Sequence, residues 1–241
     1  MKFFATVFFA LCLPLAAAEL KFETKLREAT VAPDADKVVT QFPFKNESKE
    51  TVKIIDYSAS CSCTTAAISP KDKLEYAPGE SGIILAEFEL SALAGTIEKG
   101  VQLRLEGDKE DAPSVNLISR ITIPELVVVE PKTLTWTKGE EAKPKTATVT
   151  INYKDPIHIS SVSTADERFT QELKTIEDGK KYEILVTPKN TDAFALAVMR
   201  IETDCKIERH RLVRMFMQVR STQQAAAAAA ASATNEQSAK P

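Results

Sequence analysis

From about residue 20 to residue 219 the chain alternates apolar and polar residues, and this period of two constrains its fold more than any other feature. Successive side chains of a strand point to opposite faces, so alternation means one face in a core and the other in water. Val38, Thr40, Phe42 and Phe44 share a face, as do Val52 with Ile54, and Ile84, Ala86, Phe88 and Leu90. Val101, Leu103 and Leu105 follow, then Val115, Leu117, Ser119, Ile121 and Ile123. Beyond Pro124 the pattern resumes with Ala147, Val149, Ile151 and Tyr153, then Ile157 and Ile159, then Tyr182, Ile184 and Val186. Ala195, Ala197, Met199 and Ile201, and finally Val213, Met215, Met217 and Val219, close the series. Turn-rich stretches such as KNESKE, YAPGESG and EGDKEDAPS bound the runs, and no segment of useful length has a period of 3.6. This predicts an all-β chain of antiparallel sandwiches rather than α/β units. Pro43 lies inside its run and has no N–H to donate, which predicts an edge strand or a bulge there.

The two halves form a weak internal repeat. LKFETKLREATVAPDADKVVTQFPFKN followed by TVKIIDYSAS parallels LTWTKGEEAKPKTATVTINYKD followed by PIHISSVSTA. Where the first copy continues into CSCTT, the second continues into DERFT, so the fold does not demand the cysteines. The expected division is residues 19–123 for one sandwich and 124–220 for the next. Residues 221–241 are Ala-rich and low in complexity; Ala225 to Ala231 are too few to hold a helix in water, so a disordered tail is expected. At the other end Lys2, an apolar Phe3 to Leu15 and the small Ala16 to Ala18 read as a signal peptide over 1–18, cut between Ala18 and Glu19. That predicts a periplasmic or secreted protein with no membrane segment after cleavage. Leu11 is too bulky before Cys12 for lipoprotein processing. The net charge of −3 gives no basic field for nucleic acid, and the 7 glycines form no phosphate-binding loop.

Export permits disulfides to persist. Of four cysteines, Cys61, Cys63 and Cys205 remain after cleavage, an odd number. In an extended strand positions i and i+2 are about 6.6 Å apart on one side, so a Cys61–Cys63 bond is possible but strained. The same pair could clasp a soft metal such as copper, but such sites usually need three or four ligands, and His158 and His210 are both in the second half. Path counting through two tandem sandwiches brings Cys205 toward the CSC element. A disulfide from Cys205 to Cys61 or Cys63 is therefore the expected staple, closing a loop worth ~4–5 kcal/mol in the chain-entropy model. The alternative is a thiol-redox or soft-metal protein centred on Cys61, Cys63 and Cys205.

The first half also resembles DUF1573, a bacterial family of exported Ig-like proteins. The resemblance rests on Phe42-Pro43-Phe44-Lys45-Asn46, an apolar Val52 to Ile55, Cys61-Ser62-Cys63-Thr64, Pro78-Gly79-Glu80-Ser81-Gly82, and Ile83 to Phe88, in that order. Ser62 departs from the family, which usually has glycine between the cysteines. The resemblance implies an Ig-like sandwich, related to major-sperm-protein and cilia-associated modules and used for binding or assembly, with Pro78, Gly79 and Gly82 as a turn motif. It implies no catalytic residues and no cofactor.

Other candidates favour plain readings. Met199, Met215 and Met217, with Cys205 and His210, could be drawn as a copper site, but the methionines sit on the core face of their runs. Trp136 reads as a core residue. EGDKEDAP and TKGEEAK lack the spacing of a calcium loop, and neither histidine has an identifiable Ser–Asp arrangement. The sequence thus predicts a non-enzymatic Ig-like protein, a protein-binding or envelope-assembly module with an unknown protein partner in the cell envelope.

Overall fold

The computed structural model describes residues 19–59 and 63–221. The leader, Cys12, Cys61 and the Ala-rich tail therefore lie outside the described residues. The chain forms two β-sandwiches. The first contains β1 (Leu20–Phe22), β2 (Leu26–Thr30), β3 (Lys37–Asn46), β4 (Val52–Ala59), β5 (Thr64–Ser69), β6 (Glu75–Tyr76), β7 (Ser81–Glu89), β8 (Gly95–Leu105) and β9 (Val115–Ile123). The second contains β10 (Val127–Glu130), β11 (Thr133–Thr137), β12 (Lys145–Ile151), β13 (Ile159–Thr164), β14 (Phe169–Glu177), β15 (Lys181–Pro188), β16 (Ala195–Thr203) and β17 (Leu212–Arg220). A single 3-10 turn, Glu208–His210, precedes β17. No helix among the described residues is long and apolar enough to cross a membrane.

The first sandwich packs a sheet ordered β1-β3-β7-β5 against one ordered β2-β9-β8-β4-β6. The second repeats this as β10-β12-β15-β14 and β11-β17-β16-β13, with β6 having no counterpart. The repeat is therefore real, but its opening is shifted from the sequence comparison. Leu134 lies in β11, the counterpart of β2, whereas Leu20 opens β1, the counterpart of β10. The compact units are also not contiguous: the second takes in Val31–Ala35 and Ser91–Gly95 along with the chain from Ile123. Within that unit Arg209 donates to the Ala35 carbonyl at 2.7 Å and to the Leu93 carbonyl at 3.3 Å.

Alternation places the core as expected. Phe42, Phe88, Leu103 and Ile121 are buried in the first sandwich, and Trp136, Val149, Ile184, Met199, Met215 and Met217 in the second. Trp136 keeps its indole N–H satisfied on the Lys143 carbonyl at 2.8 Å. Thr40 and Ser119 join the two sheets of the first core through a 2.7 Å hydroxyl pair.

Two features depart from the sequence expectation. Each sandwich contains one parallel pair, β2 with β9 and β11 with β17. The chain crosses between sheets after β1, so β2 lands beside the last strand of its sandwich running the same way. Hydrophobic alternation carries no information about strand direction. Pro43 is in neither an edge strand nor a bulge: β3 lies between β1 and β7, and Pro43 pairs with Ile83 in continuous register. The missing N–H is tolerated because β1 ends opposite Phe44. The Pro43 carbonyl accepts only the trailing Glu23 N–H at 3.2 Å, and the next open carbonyl on that side, Gln41, accepts from the Arg27 side chain at 3.0 Å.

Candidate functional site

The turn motif is a structural lock. Ala77 to Glu80 form a β-turn closed by the Glu80 N–H on the Ala77 carbonyl at 3.0 Å. Pro78 and Gly79 fill its centre, and Gly79 has φ +82°, a value glycine adopts without steric cost. The Glu80 carboxylate accepts from the Ala77 N–H and pairs with Lys73, each at 2.8 Å. Those contacts, Lys73 first, hold its carboxyl below the usual range. Asn46, fully buried at the end of β3, binds this turn to the chain on both sides. Its amide donates to the carbonyls of Tyr76 at 2.7 Å and Glu50 at 2.8 Å, and its side-chain oxygen accepts from Ser48. Gly82 is required for space: a Cβ there would lie 2.5 Å from the Phe44 ring and 2.7 Å from the Tyr76 hydroxyl. The side chains of Asn46 and Glu80 are thus engaged within the fold.

The cysteines are arranged differently from the expectation. Cys205 is a free, buried thiol, so the expected staple from Cys205 to Cys61 or Cys63 is not made. The reason is local. Ile201, Thr203 and Cys205 continue one inward-facing row, which packs Cys205 into the second core. Its carbonyl accepts from Arg211 at 3.0 Å and its N–H donates to Thr203 at 3.3 Å. Cys63 does carry a disulfide. Since Cys205 is excluded, the remaining cysteines are Cys12 and Cys61, both outside the described residues. No group of three metal-binding side chains occurs among the described residues.

The position of Cys63 has a counterpart in the repeat. Its carbonyl accepts the Glu89 N–H at 3.0 Å, just before β5; the Arg168 carbonyl accepts the Lys189 N–H at 2.7 Å, just before β14. Counting back two residues, Cys61 corresponds to Asp166. In the second sandwich that spacing is closed by an ion pair, with Arg168 donating through Nη2 at 2.6 Å and Nε at 2.9 Å to the Asp166 carboxylate. In the second sandwich the corner where the chain changes sheets is therefore held by side chains two residues apart, Asp166 and Arg168. Setting CSCTT against DERFT places these positions together without showing the ion pair.

His158 is the other titratable centre. Its Nδ1 lies 2.8 Å from Asp204 and its Nε2 3.6 Å from Asp178. The Asp204 hydrogen bond, ahead of all other causes, raises the imidazole above its ordinary value, and His158 in turn lowers Asp204. A hydrolytic dyad presents Nε2 to a nucleophile; here that nitrogen faces a second carboxylate, which is the geometry of a surface clasp.

Two surfaces of the second sandwich remain. β14 is an edge strand whose residues after Phe169 are all exposed, including Leu173 and Ile176. The outer face of β16 and β17 carries the exposed Leu196, Val198 and Phe216. Sequence reasoning placed the inward row of β16 and passed over the apolar residues alternating with it.

Comparison with known proteins bears on the first sandwich. Residues 20–116 match the family described as Protein of unknown function (DUF1573). The matched segment covers the Asn46 lock, the turn motif and Cys63. No curated protein matches the chain. Among solved structures, a protein of unknown function from Porphyromonas gingivalis W83 is 9% identical with a TM-score of 0.32, covering 83% of this chain and 98% of that one. A chimeric titin Z1Z2 tandem is 6% identical with a TM-score of 0.35, covering 85% and 100%. The YadV chaperone is 11% identical with a TM-score of 0.31, covering 83% and 98%. Likenesses this distant carry no functional argument.

Proposed function

We propose that this chain is an exported, non-catalytic Ig-like protein that binds a protein partner in the cell envelope. Its leader is residues 1–18, cut between Ala18 and Glu19. The observation that supports this is β14. Its nine residues form the edge of a sheet, with no strand paired on the side away from β15 among the described residues. Such edges accept an added strand from a partner. The Asn46 and Glu80 side chains and the His158 ring are turned to partners within the fold, which supports a binding use of the surface.

Cross-linking in envelope fractions, followed by recovery of the full chain, tests the reading. Lys174→Pro and Thr175→Pro remove N–H groups of opposite direction from β14. The variant that removes the outward one is expected to keep its melting temperature and lose the cross-linked partner. Consistent recovery of no partner by the unaltered chain overturns the proposal.

A further inference from the structure

On the outer face of β16 and β17 an apolar patch stands beside a pair of arginines. Leu196, Val198 and Phe216 are 58%, 40% and 41% exposed, and Val198 lies directly opposite Phe216. One step along β16, Arg200 lies directly opposite Arg214. Like charges facing each other across a ladder are unfavourable, and among the described residues neither arginine has an ion pair.

The fold does not require this surface. Val101 on β8 pairs with Ala59 at the end of β4, and Met199 on β16 pairs with Thr164 at the end of β13, so the two strands can be aligned. Leu196 then corresponds to Glu98, which pairs with Arg120 at 2.9 Å, and Arg120 pairs in turn with Glu28 at 2.6 Å. The first sandwich presents a solvated ion network where the second presents leucine. Isolated apolar residues are common on surfaces, but a contiguous patch beside unpaired charge marks an interaction site.

We infer that this face docks a protein segment carrying apolar side chains followed by carboxylates. This deepens the protein-binding reading above and rests on it. Charge complementarity selects the ligand: Arg200 and Arg214 side by side form a fork for one or two carboxylates. At the other end Glu167, on the β13–β14 corner, disfavours an acidic group and so sets the direction. That corner and β16 border an open, shallow depression of about 410 Å³ lined by Asp166, Glu167, Leu196 and Val198. Apolar residues at i and i+2 of an extended ligand are spaced about 6.6 Å apart, the spacing of Leu196 and Val198 on their own strand.

The test uses the full ¹⁵N-labelled chain and two synthetic peptides with the same leucine and phenylalanine residues, one with aspartates after them and one with lysines. The aspartate peptide is expected to shift amide signals of residues 196–200 and 214–218. The double variant Arg200→Glu, Arg214→Glu should weaken it by about tenfold or more and favour the lysine peptide instead. Phe216→Ser, a change at an exposed site, should weaken both. Equal binding of the two peptides, or shifts confined to β14, overturns the inference. So does arginine-dependent sedimentation with phosphatidylglycerol vesicles, which would assign the face to a membrane, or self-association abolished by Phe216→Ser, which would assign it to a second copy. If the cross-linked partner is lost from the β14 variant but retained by the double arginine variant, the protein-binding reading stands and this surface alone is eliminated.

Discussion

Asn46 shows how a single side chain holds a turn to the strand beside it. Its amide bridges the Tyr76 and Glu50 carbonyls from a fully buried position. Asn46→Ala leaves the buried Tyr76 carbonyl without this donor and the Ser48 N–H without its acceptor, while the Glu50 carbonyl keeps the Ser48 hydroxyl. Each such loss costs about 1–3 kcal/mol. Denaturant unfolding should therefore show a lower midpoint with an unchanged slope. Gly82→Ala should cost about 1–3 kcal/mol for a different reason, because the added methyl drives the Phe44 and Tyr76 rings out of their packing. The histidines make opposite contributions to pH dependence. His158 is raised above its ordinary 6.5, so its contribution is full below that value and is lost as pH rises through the folded value. Asp204 is lowered, so its contribution is lost as pH falls through its folded value. His210 is lowered, first by burial, so its contribution is present above 6.5 and fades below it. NMR titration should find His158 above 6.5 and His210 below, with Asp204→Asn moving His158 downward. A His158 that titrates unchanged in that variant would mean the clasp does not form.

At the scale of elements, the corner before β5 and β14 is the most informative comparison. Trypsin cuts after Lys53 and Lys71, so Cys61 and Cys63 fall in one peptide. In the mature chain proposed above, which starts at Glu19, Cys61 is the remaining partner within the chain for Cys63. That peptide is expected to run two hydrogens light without reductant, with no cross-linked species. Cys205 should be alkylated only after unfolding, because its thiol is buried. Recovery of Cys205 joined to the Ile54 to Lys71 peptide would contradict the corner arrangement. Much of this level was legible. Strands and their inward rows follow from alternation because burial is a one-face property of each strand. The parallel β2–β9 and β11–β17 pairs were not legible, since direction depends on partners some 80 to 90 residues away. Cys205 was legible and misread: the row of Ile201 and Thr203 continues into it, and path counting overrode that local signal. The outer patch of β16 was equally visible in ALAVM, a strand apolar on both faces.

Over the whole molecule, the two sandwiches share a strand plan but not a surface: the exposed β14 edge and the apolar outer face of β16 and β17 both belong to the second. Because the second compact unit draws on Val31–Ala35 and Ser91–Gly95, a fragment starting at residue 124 lacks the carbonyls that Arg209 uses. Such a fragment should melt at a lower temperature than the same strands in the full chain. Calorimetry of both would show it, and equal melting temperatures would count against those bonds contributing. The parallel pairs also govern how the chain can fold as it is made. Thr133 must find Phe216, and Leu26 must find Ile118, so in each sandwich one of the earliest strands waits for the last. Closing such long loops is slow and comes late. During vectorial synthesis neither sandwich can close before its final strand emerges, and until then β2 and then β11 are unpaired edges open to neighbouring chains. A nascent chain halted short of residue 212 is therefore where a folding helper would find the most to hold.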